Sequence, residues 1–284
     1  MNIKIWLLIA QLMLVHSNAP NRDAEILLEF VMKKKVNWLK AFNTSITNKY
    51  LKKLNYFLNK RVQGNPIAYL IREWEFWSLS LRITPRIFIP RADTETLVDQ
   101  ALFYINKPGM KILDLGSGSG AIALAIAHER SNCSILGVDY NPNCVLLAQF
   151  NARKLQIKNV SFIYSNWFTK LSKKKFHVIV SNPPYIDRTD IHLKYGDLRF
   201  ENIISLISKN KGLFDLKIII SQSKNYLADK GWLLVEHGWK QGKYVRQFMM
   251  INHFSYVRTY LDLTNNERVT CGQNYNINNI HRTN

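Results

Sequence analysis

The chain has 284 residues, 47% of them hydrophobic, which is enough to bury a sizeable core and leave room for a second, smaller unit. Its 39 Lys and Arg residues against 20 Asp and Glu residues give a net charge of +19. That charge favours nucleic acid, ribosomal surfaces or acidic proteins as partners, although a general drift toward lysine would produce the same excess. Three cysteines without CxxC or Cys/His spacing suggest neither a disulfide framework nor a zinc site, and they fit a reducing cytoplasm.

The first 70 residues are predicted to form a bundle of helices. The apolar stretch at residues 5–15 mimics a secretory signal, but Gln11 interrupts it. It is also too short to cross a bilayer, so we expect an amphipathic core helix and no membrane association. Apolar residues recur at helical spacing over 22–30 and 51–58, and Gly64-Asn65-Pro66 ends the pattern.

The remainder of the chain is predicted to be an α/β domain joined to the bundle by a hairpin. Residues 71–90 are dense in aromatic and β-branched residues and contain two prolines, which is typical of a β-hairpin connector. From residue 91 to 284, a first helix at about 94–104 leads into alternating strands and helices. This alternation predicts a parallel α/β sheet.

A glycine loop follows the first strand of this sheet. Residues 111–115 form an apolar strand that runs into Gly116-Ser117-Gly118-Ser119-Gly120 and then a helix. Glycines let a ligand approach the backbone, and the helix N-terminus offers unpaired N–H groups, but the loop also satisfies the dinucleotide fingerprint. Asp114 lies inside the strand, where a carboxylate needs partners. We expect it to order the loop and to reach the amino-acid end of a cofactor.

A second carboxylate ends the next strand of the predicted sheet. Asp139 follows residues 134–138 and can accept both ribose hydroxyls of an adenosine ligand. This arrangement suits NAD and S-adenosylmethionine equally. The structural alternative is that Asp139 is the N-cap of the helix that starts near Pro142.

The fourth strand, residues 176–180, leads into Asn182-Pro183-Pro184-Tyr185. The two prolines fix the turn and have no N–H, so the carbonyl oxygens can accept hydrogen bonds. Asn182 adds an amide oxygen and Tyr185 adds a flat face. Together they suit a planar –NH2 group held in line with an electrophile, although the prolines could also make a merely rigid turn.

The ordered set of motifs resembles the amino-methyltransferases with an Asn-Pro-Pro-Tyr loop, and among them the glutamine methyltransferases of peptide chain release factors. The resemblance covers nearly the whole chain. It is carried by the segments 22–25, 76–78, 89–91, 114–120, 179–186, 200–201, 236–238 and 267–269.

The resemblance implies a fold and roles for individual residues. It implies a five-helix N-terminal domain that recognises the release factor, the hairpin connector, and a seven-stranded class I, Rossmann-like, S-adenosylmethionine-dependent methyltransferase domain. In the cofactor site, residues 116–120 line the methionine and ribose, Asp139 holds the ribose diol, and Asn166 and Trp167 contact the adenine. Residues 182–185 cradle the substrate glutamine of a Gly-Gly-Gln loop, with Asn182, Pro183 and Tyr185 acting in catalysis and Asn182 also next to the cofactor.

The chain departs from the family pattern at several positions. Ala92 stands where a proline is usual, Asn166 replaces an acidic residue, and Asn202 replaces a second proline. The glycine-rich segment that follows is shortened to residues 211–213. An amide at position 166 can still accept from the adenine amino group, but it lacks charge assistance.

These observations predict an enzyme that methylates the side-chain amide nitrogen of the release-factor glutamine by direct displacement, in support of translation termination. We expect no metal, no stable nucleic-acid binding, and a monomer. Two alternatives stay open at this point. One is methylation of an amino group on a nucleic-acid base, and the other is a cofactor-binding protein without activity.

Overall fold

The computed structural model of the protein describes residues 1–42, 45–172 and 175–275. Most of the lysine run at 173–175, and residues 276–284 at the end of the predicted methyltransferase domain, lie outside the described residues. The chain divides into two compact units. One comprises Met1–Glu73 with Ile191–Phe200, and we call it the helical unit. The other comprises Trp74–Asp190 and the chain from Glu201 onward, and we call it the sheet unit.

The helical unit contains the predicted helices. They are α1 (Ile3–Met13), α2 (Pro20–Met32), α3 (Val36–Ala41), α4 (Asn48–Val62) and α5 (Ile67–Ile71). Helix α1 begins after Asn2, whose side chain accepts a hydrogen bond from the backbone N–H of Lys4 at 2.8 Å. Its buried face includes Trp6, which is 1% exposed, but Leu8 and Leu12 remain exposed on the other side. The helix is therefore apolar on both faces. Within the described ranges, no helix is long and apolar enough to cross a membrane.

A short segment from the second half of the chain also belongs to the helical unit. Ile191–Phe200 forms two 3₁₀ turns, and Asp197 in the second turn accepts a hydrogen bond from Arg61 of α4 at 3.0 Å. The same guanidinium donates to Asp23 of α2 at 2.7 Å. One buried arginine thus joins two helices and the inserted segment.

The predicted hairpin is present as β1 (Glu73–Phe76) and β2 (Leu79–Arg82), which form a two-stranded sheet. Trp77 and Ser78 connect the strands with φ values of 51° and 57°. Two consecutive left-handed residues are the geometry of a tight hairpin turn.

The sheet unit contains a seven-stranded sheet in the order β5-β4-β3-β6-β7-β9-β8. The strands are β3 (Lys111–Leu115), β4 (Ser134–Asp139), β5 (Val160–Tyr164), β6 (Phe176–Ser181), β7 (Leu227–Glu236), β8 (Ser255–Leu261) and β9 (Glu267–Gln273). Strands β3 to β7 pair in parallel, whereas β9 runs antiparallel to both β7 and β8. The predicted class I methyltransferase fold is confirmed, with the qualification that its last two strands make the sheet mixed.

Among its described residues, the sheet unit has six helices, which precede or connect these strands. They are α6 (Glu95–Tyr104), α7 (Ala121–Glu129), α8 (Pro142–Lys154), α9 (Lys209–Gly212), α10 (Phe214–Ser223) and α11 (Gly242–Ile251). Because the central strands are covered on both faces, they read as continuous apolar runs, and Leu113, Ile179 and Leu233 are fully buried in one core. The carboxyl ends of β3, β4 and β6 meet at one edge of the sheet, where open α/β folds bind ligands.

Candidate active site

The glycine loop needs its glycines for backbone geometry. Gly116 and Gly118 have φ values of 76° and 55°, in the left-handed region that L side chains rarely adopt. A Cβ atom at Gly116 would lie 3.4 Å from the indole ring of Trp167. Asn151 of α8 holds the loop from behind, because its amide donates to the carbonyl of Ser119 at 2.9 Å. At these glycines the loop has backbone atoms without side chains near the edge of the sheet.

Asp139 is hydrogen-bonded to this loop. Its Oδ2 atom accepts from the backbone N–H of Gly118 and its Oδ1 atom from that of Asn141, both at 2.8 Å. Burial raises the pKa of Asp139, and these backbone donors oppose the shift. The N-cap of α8 is Asn141, whose side chain accepts from Asn143 at 3.0 Å, so the alternative N-cap role for Asp139 is wrong.

Asp114 is fully buried in β3, one residue before the strand ends at Leu115 and next to the loop. Its Oδ2 atom accepts from the backbone N–H of Ala123 at 3.2 Å, but Oδ1 has no partner among the described residues, and neither does Ser117 Oγ. Burial raises the pKa of Asp114 to about 7, opposed by the Ala123 hydrogen bond and reinforced by the charge of Asp139. Buried polar atoms normally have partners, so these two oxygens fit the polar amino-acid end of a bound ligand.

Trp167 lies beside the glycine loop, in the segment after β5. Its φ value is 46°, and the Ser165 hydroxyl donates to its carbonyl at 2.8 Å, which fixes the turn. The ring is half-buried and faces Gly116, so the side chain that the resemblance assigns to the adenine adjoins the loop. Asn166 is exposed, and its side chain makes no hydrogen bond with any described residue.

The Asn-Pro-Pro-Tyr turn begins directly beside the glycine loop. Ser181 at the end of β6 is in register with Leu115 at the end of β3, and its hydroxyl donates to the Leu115 carbonyl at 2.8 Å. The Asn182 amide nitrogen donates to Thr94 Oγ1 at 3.1 Å. In the described part of the chain, neither Asn182 Oδ1 nor the Pro183 carbonyl oxygen accepts a hydrogen bond. The turn therefore offers the two acceptors that the sequence predicted.

Behind the turn lies a buried carboxylate whose role the sequence analysis did not predict. The Tyr185 hydroxyl donates to Glu236 Oε1 at 3.1 Å, and Glu236 ends β7 with 1% exposure. Burial raises the pKa of Glu236 to about 7, while the Thr94 hydroxyl, Arg268 and Tyr185 oppose the shift. A carboxylate near the end of a buried strand was visible in the sequence, as it was for Asp114, but its partners were not.

The positions where the chain departs from the family pattern lie on structured turns. Ala92 begins the 3₁₀ turn Ala92–Thr94, and Asn202 caps another by accepting from the backbone N–H of Ile204 at 3.2 Å. Asn202 therefore stabilises its turn with a side-chain hydrogen bond where a proline would restrict φ. Glu201, whose side chain is buried, pairs with Arg91.

The families, relatives and solved structures to which this chain is similar are methyltransferases, in agreement with the geometry of this site. A methyltransferase domain family matches residues 106–274, and the PrmC N-terminal domain family matches residues 6–71. The release factor glutamine methyltransferase of Escherichia coli strain K12 is 47% identical over 97% of this chain and 100% of its own length. That of Yersinia pestis is 48% identical over 96% and 99%. The crystal structure of a methyltransferase from Pyrococcus furiosus has the same fold, with a TM-score of 0.53, 15% identity, and coverage of 77% of this chain and 98% of that one.

Proposed function

This chain belongs to the release factor glutamine methyltransferase family, and from that premise we propose that it methylates the side-chain amide nitrogen of the glutamine in the Gly-Gly-Gln loop of peptide chain release factors. The methyl donor is S-adenosylmethionine, and the product supports translation termination. The single observation that carries the proposal is the pair of unused acceptors, Asn182 Oδ1 and the Pro183 carbonyl, on a turn adjoining the glycine loop.

The residues at the edge of the sheet fit the cofactor. Asp114 and Ser117 offer unpartnered buried oxygens to its amino-acid end, and Asp139 is the carboxylate for the ribose diol. The ring of Trp167 packs against the adenine, with Asn166 next to it in the sequence. The remaining loop residues, Gly116, Gly118, Ser119 and Gly120, supply backbone close to the ligand. S-adenosylmethionine supplies an electrophilic methyl carbon, whose bond to sulfur breaks as the amide nitrogen bonds to it.

The turn prepares the glutamine amide for this reaction. An amide nitrogen is a weak nucleophile because its lone pair is delocalised into the carbonyl. When both N–H bonds are held by Asn182 Oδ1 and the Pro183 carbonyl, electron density returns to nitrogen and the lone pair is directed at the methyl carbon. Pro184 keeps the turn rigid, and the ring of Tyr185 packs on the plane of the amide. The nitrogen gives up one of its two protons to solvent water once the new bond has formed, and the sulfur keeps the electron pair of the bond that breaks.

Residues 1–70 are proposed to be the domain that recognises the release factor, joined by the connector at 71–90 to the methyltransferase domain from residue 91 onward. The match of residues 6–71 to the PrmC N-terminal domain supports this division. We propose that the enzyme acts as a monomer in the cytoplasm without stably binding nucleic acid. The three free, buried cysteines fit a reducing compartment.

Mass spectrometry of the product tests the proposal. Purified enzyme is incubated with S-adenosylmethionine and a release factor, and we expect one added methyl group on the glutamine of the Gly-Gly-Gln peptide. DNA and RNA substrates serve as parallel controls. The proposal fails if the methyl group appears on nucleic acid only, or on another residue of the release factor.

A further inference from the structure

The side chain of Gln241 joins three segments of the sheet unit at the end of residues 182–185, which we call the substrate turn. Its Oε1 atom accepts from the backbone N–H of Gly238 at 2.9 Å. Its Nε2 atom donates to the carbonyl of Tyr185 at 2.9 Å and to that of Lys211 at 3.2 Å. One amide therefore links the end of the substrate turn to the loop after β7 and to helix α9.

All three partners require the same orientation of the Gln241 amide. A backbone N–H only donates and a carbonyl oxygen only accepts, so Oε1 must face Gly238 and Nε2 must face the two carbonyls. The backbone N–H of Gln241 also donates to the Gly238 carbonyl at 2.8 Å, which closes a ring of hydrogen bonds between the two residues. The amide of Gln241 is thus fixed as an acceptor on one side and a donor toward the substrate turn.

The loop that carries Gln241 is attached to the sheet. The backbone N–H of His237 donates to the Arg268 carbonyl at 3.0 Å, and Nε2 of its buried ring lies 2.7 Å from Thr270 Oγ1. Both partners belong to β9. Through Gln241, the end of the substrate turn is therefore connected to the sheet.

The substrate turn is held at its start by a different contact. The Ser181 hydroxyl at the end of β6 donates to the Leu115 carbonyl at 2.8 Å. Inside the turn, Pro183 and Pro184 have no N–H, so neither can donate a hydrogen bond that would hold the backbone there. The position of the turn's backbone therefore depends on how its other end is held.

That other end is held by Gln241 and by the residue that follows the turn. The Ile186 N–H donates to the Leu206 carbonyl at 3.0 Å, and its own carbonyl accepts from Ser208 at 3.0 Å. These two bonds lie beyond the turn, whereas the Gln241 bond is made to the Tyr185 carbonyl, which is part of it.

We propose that Gln241 is a positioning residue that fixes the backbone of the substrate turn through the Tyr185 carbonyl. It thereby sets where the Pro183 carbonyl and the ring of Tyr185 meet the substrate amide. This inference rests on the proposed function, since that function makes the turn the site of the amide. Gln241 acts through Tyr185 and not on the reacting atoms.

Two substitutions of Gln241 test this role. Gln241→Glu keeps the size of the side chain and the acceptor for Gly238, but it replaces the donor by a second acceptor, which faces the Tyr185 and Lys211 carbonyls. Gln241→Met removes the donor at similar size without adding a charge. The pair separates loss of the hydrogen bond from electrostatic repulsion.

Gln273→Glu is the matched control. Gln273 is half-buried like Gln241, and its Nε2 atom also donates to a backbone carbonyl, that of Lys230, at 2.9 Å. Gln273 pairs with Trp232 in β7, whereas Glu236 at the other end of that strand lies next to the substrate turn. The control therefore makes the same chemical change away from the turn.

Activity is measured with the release factor as substrate, and kcat is expressed per S-adenosylhomocysteine site counted by calorimetry. We expect Gln241→Glu to lower kcat by about 10- to 100-fold and Gln241→Met by about tenfold, because misplacement of a reacting group carries that scale of cost. The KM for the release factor and the dissociation constant for S-adenosylhomocysteine should change by less than about threefold, because the lost interaction acts on alignment. Gln273→Glu should keep wild-type kcat.

Two further measurements separate positioning from a general loss of stability. Backbone hydrogen exchange at Ile186 should become faster in Gln241→Glu, while exchange in β3 and β6 stays as in the wild type. A Cβ atom at Gly212 would overlap the Tyr185 carbonyl oxygen that Gln241 holds. In a Gly212→Ala background, Gln241→Met should therefore cause little additional loss of kcat.

The outcomes distinguish the two proposals. If the wild-type enzyme transfers no methyl group to the release-factor glutamine, the proposed function fails, and exchange at Ile186 still reports whether Gln241 holds the turn. If it does transfer the group, the positioning role is overturned when both Gln241 variants keep wild-type kcat or when exchange at Ile186 is unchanged. An equal loss of kcat in Gln273→Glu would also overturn it.

Discussion

Arg61 and Asp197, 136 residues apart in the sequence, form an ion pair of 3.0 Å inside the helical unit. The Arg61 side chain is 10% exposed and also holds Asp23, which is 7% exposed. We expect Arg61→Ala to lower the free energy of unfolding of this unit by about 3 kcal/mol, because two carboxylates lose their cation. Hydrogen exchange of α2 and α4, compared with that of β3 and β6, measures the effect.

The matched control for this prediction is Arg22→Ala. Arg22 forms only a 4.0 Å pair with Glu25 and its side chain is 64% exposed. An exposed pair contributes little, so exchange in α2 should change by less than about 0.5 kcal/mol. Equal effects of the two substitutions would contradict the role assigned to Arg61.

Gly212 approaches the backbone of the substrate turn so closely that no side chain fits. A Cβ atom there would overlap the Tyr185 carbonyl oxygen and lie 2.7 Å from the Gln241 amide nitrogen. We expect Gly212→Ala to shift Tyr185 and to lower kcat by about tenfold or more. Cofactor affinity should be unaffected.

Gly109→Ala is the control for Gly212→Ala. Gly109 has a similar left-handed φ of 75°, but open space surrounds the added methyl group. It should cost only about 1 kcal/mol of folding free energy and leave kcat unchanged. Normal kcat in Gly212→Ala would show that the close approach has no bearing on catalysis.

Asp114 makes the stability of the ligand-free protein depend on pH. Its folded pKa of about 7 lies above the usual 3.8, so the unfolded chain releases this proton first as the pH rises. Relative to Asp114→Asn, the wild type should therefore lose up to about 4 kcal/mol of unfolding free energy between pH 4 and 7. Urea unfolding of both proteins at pH 5 and pH 8 measures this difference. An equal difference at the two pH values would argue against a buried, titrating Asp114.

Asn166 offers a gain-of-affinity test at the adenine site. Asn166→Asp restores a charge-assisted acceptor for an amino group, and we expect the dissociation constant for S-adenosylhomocysteine to fall by about 3- to 10-fold. Asn225→Asp adds the same charge before β7, at the opposite edge of the sheet. Calorimetry of the two variants separates a local contact from the change in net charge. Equal gains in both would contradict a contact of Asn166 with the adenine.

The parts of the site that the sequence predicted lie at the ends of parallel strands. Asp114 lies one residue before the end of its apolar strand, Asp139 ends the next one, and Asn182 directly follows another. The carboxyl ends of parallel strands necessarily converge at one edge. Local pattern and this rule were enough to place them together. The fold class followed from the same alternation of strands and helices.

The parts that the sequence could not predict depend on contacts between distant segments. Thr94, Glu236 and Arg268 come from three separate segments, and no local pattern relates them. The insertion of Ile191–Phe200 into the helical unit depends on Arg61, which is indistinguishable in sequence from the many surface cations of a chain with 39 Lys and Arg residues. Which of these cations is buried depends on the tertiary structure, so local sequence does not reveal it.

The inserted segment also limits where this protein can be truncated and which segments can be exchanged in chimeras. Because Ile191–Phe200 is part of the helical unit, a cut after residue 73 does not release that unit whole. A truncated enzyme would keep Asp197 but lose Arg61, and an isolated N-terminal fragment would keep Arg61 but lose Asp197. Chimeras that exchange the N-terminal domain between relatives should therefore exchange residues 191–200 with it, as a single inherited block.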